Sequence, residues 1–404
     1  MAFDCSPVAP AIRPAPRDDR RCPRAVGGTP RRLSLTAGGA ASGTRPRPSF
    51  DCIALLLQGG GALGAYQAGV YEALAEADLH PDWIAGISIG AINGALIAGN
   101  APEARTDKLR AFWEQVTAKQ WFDRSEPLFP ARGDAVRQWL NQISANLALV
   151  GGAPGFFAPR FPLPWLHPPG TMEATSAYDT SSLKATLERL VDFGRINTNR
   201  MRFSVGAVNV RSGNFVYFDT NTHTIGPEHI MASAALPPGF PAVEIEGEQY
   251  WDGGLVSNTP LQWVVDSDPH LDTLAFQVDL WNARGEPPRT IAEVATRQKE
   301  IQYSSRTRAG TDSFKYIQRL RRAMSDLFQK LPEDLQNSPE AQMLRPVGNH
   351  RVYNIVHLIY RAKNYEGQSK DYDFSRASMH EHWRAGYHDA IHTLRHPEVL
   401  ERPT

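Results

Sequence analysis

The chain has 404 residues, of which 42% are hydrophobic and 21% are charged, a composition typical of a soluble globular protein. Lysine and arginine together number 43, as do aspartate and glutamate, and a net charge of zero argues against a nucleic-acid partner. No stretch reaches the roughly 18 uninterrupted apolar residues of a membrane-spanning helix. Three cysteines without the spacing of a zinc site favour reduced thiols, so we expect a cytoplasmic protein and leave peripheral contact with a membrane open.

The first 48 residues contain nine arginines, eight prolines and no lysine, and they lack the apolar run of a secretory signal. A segment of this composition cannot bury enough apolar surface to fold by itself. The sequence therefore predicts a disordered leader over residues 1–48, to which we assign no function.

Order is predicted to begin near Phe50, after which strands and helices alternate. Residues 53–57 are apolar throughout, which is typical of a buried strand, and residues 65–77 place Ala, Val and Leu on one helical face. A second apolar strand is predicted over residues 83–87, and the small residues that follow Ser88 favour a helix packed tightly against a sheet. This alternation predicts parallel strands covered by helices on both faces.

Residues 128–178 differ in composition, because they are rich in proline, glycine and aromatic side chains. The segment is also too long for an ordinary connection between two elements. It therefore predicts a lid or a binding excursion inserted in the fold.

The pattern of alternating elements resumes after this excursion. A helix is predicted from Ser181 or Ser182, then a hairpin from RFSVGAVNV and NFVYFDT, and then a helix that ends before Pro237. A short hairpin ends at Asp252, and TLAFQVDLW predicts one more buried strand. We place this first domain at residues 50–281.

Residues 282–404 form a predicted accessory region that is mainly helical. Apolar side chains recur there at helical spacing beside a basic cluster; the apolar set is Phe314, Ile317, Leu320, Met324, Leu327 and Leu331, and the basic set is Lys315, Arg319, Arg321 and Arg322. This helix could rest on an anionic membrane or bury its apolar face in a cap over the first domain. The segment VYNIVHLIYR predicts another strand, and residues 375–395 predict a helix.

The turn after the first strand, QGGGALG, allows two kinds of chemistry. Gly59, Gly61 and Gly64 match the G-x-G-x-x-G of a dinucleotide-binding turn, but such a site also needs an acidic residue at the end of the second strand. The chain instead places GISIG there, the G-x-S-x-G pattern of a sharp strand-to-helix turn that exposes a nucleophilic serine. Backbone amides of the glycine turn could then face the oxyanion of a reaction intermediate.

Three motifs in this order, QGGGALG, GISIG and WDGG, closely resemble the patatin-like phospholipase family. The resemblance covers roughly residues 53–280, and the segment that leads to WDGG is similar to the family's approach to its catalytic aspartate. It implies a three-layer α/β sandwich with a mostly parallel central sheet. The C-terminal region is similar to the accessory region of a bacterial subgroup of the family.

The resemblance also implies a Ser–Asp dyad, in which Ser88 attacks an ester carbonyl and Asp252 acts as general base. The oxyanion loop would consist of Gly59, Gly60, Gly61 and Gly64, and the elbow around the nucleophile would depend on Gly86 and Gly90. We therefore expect a serine hydrolase that cleaves acyl esters of lipids through an acyl-enzyme intermediate. Neither a metal nor an organic cofactor is expected.

Other interpretations stay open at this point. His223 or His229 could complete a catalytic triad, and a non-catalytic lipid-binding or scaffolding protein could retain the same fold. An NAD-binding oxidoreductase is disfavoured by the missing acid after the second strand. The aromatic side chains of the excursion could form a pocket wall or lid, contact lipid or pack against the core; they are Phe156, Phe157, Phe161 and Trp165.

Overall fold

The structure is a computed structural model that describes residues 47–117, 145, 148–345, 347–348, 351–363, 366–367 and 369–402. The side chains of residue 292 and of residues 305–315 are also outside this description. The leader predicted for residues 1–48 and most of the first half of the 128–178 excursion therefore lie outside the described residues, as do the side chains of Phe314 and Lys315.

One mixed sheet forms the centre of the molecule, and a separate two-stranded ribbon lies in the excursion. The strands are β1 (Cys52–Leu57), β2 (Trp83–Ile87), β3 (Ala158–Pro159), β4 (Tyr178–Asp179), β5 (Arg202–Asn209), β6 (Phe215–Asp219), β7 (Val243–Ile245), β8 (Glu248–Asp252), β9 (Thr273–Asp279) and β10 (Tyr353–Ile359). Within the described residues the sheet order is β10-β9-β1-β2-β5-β8-β7, with β6 also paired to β5, and β3 pairs with β4. Strands β10, β9, β1, β2 and β5 are parallel, whereas β6, β7 and β8 are antiparallel additions. The predicted mostly parallel sheet is confirmed.

The helices cover both faces of this sheet. They are α1 (Ala65–Glu76), α2 (Ile89–Ala98), α3 (Arg105–Val116), α4 (Ser181–Leu190), α5 (Phe193–Ile196), α6 (Pro227–Ser233), α7 (Leu261–Asp266), α8 (Ile291–Lys330), α9 (Glu333–Gln336), α10 (Pro339–Leu344) and α11 (Arg376–Leu394). In the part of the chain that the structure describes, no helix is long and apolar enough to span a membrane.

Strand β1 shows why the fold has three layers. Its six residues are all buried, and successive side chains point to opposite faces of the sheet. Leu55 and Leu57 join the larger core with α1 and α2, whereas Ala54 and Leu56 join a smaller core with Leu261 of α7. A strand buried on both faces is continuously apolar, which is how the sequence predicted it.

The C-terminal part of the chain contributes to this same sheet and to its helical layer. Strand β10 pairs with β9 along its whole length, and α11 packs on α1 through polar contacts as well as apolar ones. The Tyr66 hydroxyl donates to Asp389 at 2.8 Å, and the Tyr387 hydroxyl donates to Glu76 at 2.7 Å. The division at residue 281 stays a prediction.

Much of the apolar stripe of α8 is exposed among the described side chains. Ile317 and Leu320 are exposed and Leu327 is 58% exposed, whereas Met324 and Leu331 are half-buried. The alternative in which this face is buried in a cap is therefore wrong for Ile317, Leu320 and Leu327.

The aromatic side chains of the excursion divide into two groups. Phe156 and Phe157 are buried and pack edge-to-face on Phe374. Phe161 is 94% exposed and Trp165 is 75% exposed. Only the first pair packs against the core.

Candidate active site

Strand β5 brings the two predicted reactive side chains together, because β2 and β8 share one of its edges while β6 pairs along the other. Strand β2 runs parallel to β5 and ends with Ile87 opposite Gly206. Strand β8 runs antiparallel and ends with Asp252 opposite Ala207, the next residue of β5. Ser88, which follows Ile87, and Asp252 therefore meet end to end.

The backbone at Ser88 has the sharp geometry of a nucleophile elbow. Its φ is +56° and its ψ is −127°, a conformation that is strained for any residue with a side chain. A Cβ atom at Gly86 would lie 2.4 Å from the Gly90 carbonyl oxygen, and a Cβ atom at Gly90 would lie 2.2 Å from the Leu57 carbonyl oxygen. The close approach of backbone to backbone thus requires glycine at both flanking positions.

Ser233, the last residue of α6, fixes the peptide of the elbow. Its hydroxyl donates to the Gly206 carbonyl at 2.6 Å and accepts from the Ser88 amide at 2.9 Å. Ser233 is fully buried. The hydroxyl therefore links the β5 backbone to the residue that carries the nucleophile and satisfies a buried amide.

Asp252 is 2% exposed, and its carboxylate accepts a hydrogen bond from the Gly254 amide at 2.7 Å. Burial disfavours the charged form and raises the pKa of Asp252 to about 7, although the neighbouring Ser88 hydroxyl and the Gly254 amide oppose this shift. The result is a carboxyl group that is basic enough to accept a proton near neutral pH.

Asn258 clamps the start of the glycine turn directly beside the nucleophile. Its side-chain oxygen accepts from the Gly59 amide at 3.1 Å, and its side-chain nitrogen donates to the Gly59 carbonyl at 3.1 Å. The Trp281 indole also donates to that carbonyl at 2.9 Å. A Cβ atom at Gly59 would lie 3.0 Å from the Ser88 Cβ. Gly59 thus lies close beside Ser88, but its amide already donates to Asn258.

The backbone amides of Gly60 and Gly61, the next two residues of the turn, differ from the Gly59 amide in their hydrogen bonding. Neither the Gly60 amide nor the Gly61 amide donates to an acceptor within the described ranges. Gly61 has a φ of +54°, and a Cβ atom there would lie 2.2 Å from the Asp371 carbonyl oxygen. Ile89 is the first residue of α2, so helix geometry leaves its amide without an intrahelical acceptor.

Gly64 serves the packing of the turn. A Cβ atom at this position would lie 2.4 Å from Ile89, which immediately follows the nucleophile. The Gly64 carbonyl also accepts from the Asn93 side chain at 3.0 Å. Gly64 therefore sets the close contact between the beginnings of α1 and α2.

Residues from the C-terminal region support the glycine turn from outside. The Asp371 carbonyl accepts from the Ala62 amide at 2.8 Å, and the Asp371 carboxylate pairs with Lys299 at 2.9 Å. The Tyr303 carbonyl accepts from the side chains of Gln58 at 3.2 Å and Asn258 at 3.4 Å. Burial raises the pKa of the Tyr303 hydroxyl, and the Asp252 carboxylate raises it further.

The sequence interpretation missed Asn258, Ser233 and these C-terminal supports. Asn258 follows shortly after WDGG, so its closeness to Asp252 was a local signal that could have been used. Ser233 and Asp371 offer no comparable signal, because their contacts depend on distant segments of the chain.

The two candidate triad histidines make other contacts. His229 Nδ1 accepts from the Gly226 amide at 3.0 Å, and His223 Nδ1 lies 2.8 Å from the Thr222 hydroxyl. Among the described residues, neither imidazole hydrogen-bonds to Ser88 or Asp252. Over the same residues, no group of three or more His, Cys, Asp or Glu side chains could hold a metal ion.

Comparison with protein families assigns both parts of the chain to related groups. The model described as patatin-like phospholipase matches residues 55–264. A second model, described as patatin phospholipase, matches residues 301–404. The first match includes Ser88, Asp252 and the glycine turn.

Individual relatives are similar over shorter stretches. Patatin-like phospholipase domain-containing protein 7 of Mus musculus is 44% identical over 71 residues, which is 18% of this chain and 5% of the mouse protein. Lysophospholipase nte1 of Aspergillus terreus is 55% identical over 49 residues, which is 12% of this chain and 3% of the fungal protein. This chain therefore matches only a small part of either relative.

Two solved structures match this chain at low sequence identity. VipD from Legionella pneumophila has a TM-score of 0.39 at 15% identity, with 87% of this chain and 67% of that chain covered. Human GIVD cytosolic phospholipase A2, in complex with methyl gamma-linolenyl fluorophosphonate, has a TM-score of 0.37 at 13% identity, with coverages of 86% and 59%.

Proposed function

This chain belongs to the patatin-like phospholipase family, and we propose that it hydrolyses acyl ester bonds of lipids with Ser88 as nucleophile and Asp252 as general base. The observation that carries this proposal is the position of Ser88 next to the buried Asp252, where the ends of β2 and β8 meet on β5. The substrates would be phospholipids, lysophospholipids or acylglycerols, all of which present an ester next to a long apolar chain.

In the first half-reaction, the Asp252 carboxylate takes the proton of Ser88 while the serine oxygen forms a bond to the ester carbonyl carbon. The carbonyl oxygen becomes an oxyanion. The amides of Gly60 and Gly61, together with the Ile89 amide, would donate hydrogen bonds to it. The bond to the alcohol then breaks, and the proton held by Asp252 passes to the departing oxygen.

The second half-reaction releases the fatty acid. A water molecule gives its proton to Asp252 as its oxygen attacks the acyl carbon, and the same amides stabilise the second oxyanion. The bond to the serine oxygen breaks, and the proton on Asp252 returns to Ser88. No proton or electron is left over, so the cycle requires no further reactant.

An aspartate can perform this role without histidine because its burial changes its basicity. An exposed carboxylate with an ordinary pKa near 3.8 would be a poor acceptor for a serine proton, whereas a pKa of about 7 makes the transfer less unfavourable. Esters also have better leaving groups than amides, which suits the weaker activation of a dyad.

Labelling with a fluorophosphonate probe tests the proposal. The wild-type protein should gain one covalent adduct, which peptide mapping places on Ser88, and Ser88→Ala should abolish it. Ser212→Ala, which removes an exposed serine hydroxyl from the turn after β5, is the matched control and should label normally. Undiminished labelling of Ser88→Ala would end the proposal, and a protein that binds lipid but neither labels nor hydrolyses esters would be a non-catalytic relative.

A further inference from the structure

One surface of the excursion is apolar and exposed. In residues 161–172, all of which the structure describes, the exposed large apolar side chains are Phe161, Leu163, Trp165, Leu166 and Met172. The same stretch contains no Asp, Glu, Lys or Arg. We refer to these five side chains as the apolar loop.

The apolar loop is held in shape by its own hydrogen bonds. The Leu166 amide donates to the Leu163 carbonyl at 2.9 Å, and the His167 amide donates to the Pro164 carbonyl at 3.2 Å. The His167 ring also contacts the Pro162 carbonyl at 3.0 Å. Since the backbone is ordered without burying these side chains, their exposure is a property of the folded loop.

The base of the loop lies at the edge of the sheet that carries the site. Ala177 lies near the end of the excursion, and its amide donates to the Pro238 carbonyl at 3.0 Å. Slightly earlier in that same segment, the Ala235 carbonyl accepts from the Asp252 amide at 3.0 Å. Leu236, which follows Ala235, and Leu255, which follows Asp252 by three residues, are also exposed. Exposed apolar side chains therefore occur from the loop to the immediate neighbourhood of the catalytic aspartate.

We propose that the apolar loop, with Leu236 and Leu255, is the surface through which this protein docks on a lipid bilayer. The inference rests on the proposed function, because a lipid ester held in a bilayer must reach Ser88 from the water interface. Exposed Trp and Phe side chains suit this interface, where an aromatic ring can insert between lipid head groups. As the loop carries no charged side chain, docking should depend on apolar burial and should not require anionic lipid.

The other exposed apolar stripe, on α8, is placed less well for this purpose. Gln318 donates to the Arg351 carbonyl at 3.4 Å, just before the start of β10, and Arg321 pairs with Asp266 at 3.6 Å, ahead of β9. These contacts are at the amino-terminal ends of the parallel strands, whereas Ser88 follows the carboxyl end of β2. A bilayer on that stripe would lie at the edge of the sheet opposite the nucleophile.

Vesicle co-sedimentation tests the proposal with the full chain and pure phosphatidylcholine vesicles, at low and at high salt. The double variant Phe161→Ser with Trp165→Ser should bind at least tenfold more weakly than the wild type, because two exposed rings no longer enter the interface. Leu327→Ser removes an exposed apolar side chain from α8 and is the matched control, which should bind within twofold of the wild type. Wild-type binding should change little with salt.

Hydrolysis of a water-soluble short-chain ester separates this inference from the proposed function. In the double variant it should fall far less than vesicle binding does. Wild type that cleaves the soluble ester but does not bind vesicles, or a double variant that binds like wild type, would overturn the docking surface and leave the function intact. Loss of a dimer in the double variant, without vesicle binding by the wild type, would assign the surface to a second copy of the chain. Vesicle binding without any ester cleavage would instead contradict the proposed function alone.

Discussion

The two halves of the candidate site are built in different ways. The elbow around Ser88 is formed by neighbours in the fold that all belong to the first part of the chain, namely β1, β2, β5 and α6. The glycine turn is instead held by Asn258, Trp281, Tyr303 and Asp371, which extend far into the C-terminal region. The position of Ser88 therefore depends on the core sheet, whereas the position of the glycine turn also depends on the C-terminal region.

Asp252→Asn should have the largest effect, because it removes the proposed general base at the junction between the elbow and the end of β8. An amide of the same shape keeps the contact with the Gly254 amide but cannot accept the Ser88 proton. We expect kcat for a soluble ester to fall by about 10⁴-fold, the upper end of what a positioned general base contributes. Steady-state kinetics measures this, with Asp266→Asn as a control outside the site; retained turnover would identify another base.

The same substitution should stabilise the fold at neutral and alkaline pH. The folded-state pKa of Asp252 is about 7, above its ordinary value of 3.8, so the unfolded chain gives up this proton more readily. The group's contribution to stability is complete below pH 3.8 and is lost as the pH rises toward 7. Urea unfolding should therefore show Asp252→Asn more stable than wild type by up to about 4 kcal/mol at pH 8. The difference should vanish near pH 4, and a constant difference at every pH would contradict this explanation.

Asn258→Ala tests the clamp on the glycine turn. Without both hydrogen bonds to Gly59, the turn can move relative to Ser88, and the amides of Gly60 and Gly61 lose their fixed positions. We expect kcat to fall by about 10²-fold, the cost of a lost oxyanion donor, with KM changed only a few-fold.

Asn354→Ala is the matched control for this clamp, because the Asn354 side chain also donates to two backbone carbonyls, those of Val399 and Glu401, away from the site. It should leave kcat within twofold of wild type. Equal losses in the two variants would show that Asn258 acts only through general stability.

Lys299→Ala should have the smallest effect on kcat. It tests whether the C-terminal region supports the glycine turn. It removes the ion pair to Asp371, whose carbonyl holds the Ala62 amide of the turn. Because this pair is partly exposed, we expect kcat to fall only about twofold to fivefold, with a smaller difference at high salt. Lys184→Ala, which removes the ion pair with Glu228 at 2.6 Å, is the control; an equal loss there would exclude a specific role for the C-terminal pair.

Local sequence features predicted the parts of the site whose chemistry is local. The apolar run of β1, the small residues around Ser88 and the glycines beside it each follow from steric requirements within a few residues. The expectation that Gly59 donates to the oxyanion stays a prediction, but the structure shows its amide bonded to Asn258. Composition alone could not separate Phe156 and Phe157 from Phe161 and Trp165, because aromatic side chains suit both a core and an exposed interface.

The sequence by itself determined which groups are present: a serine on a strained turn, an acid before two glycines, and a run of strands that must be buried. Only the tertiary structure decided that β2 and β8 end against one edge of β5 and that Asp252 is buried deeply enough for its pKa to rise. It also decided that residues of the C-terminal region hold the glycine turn in position. The physical reason is that residue types and backbone preferences are local properties. Strand register, burial and the distance between two side chains result from packing among segments that are far apart in the chain.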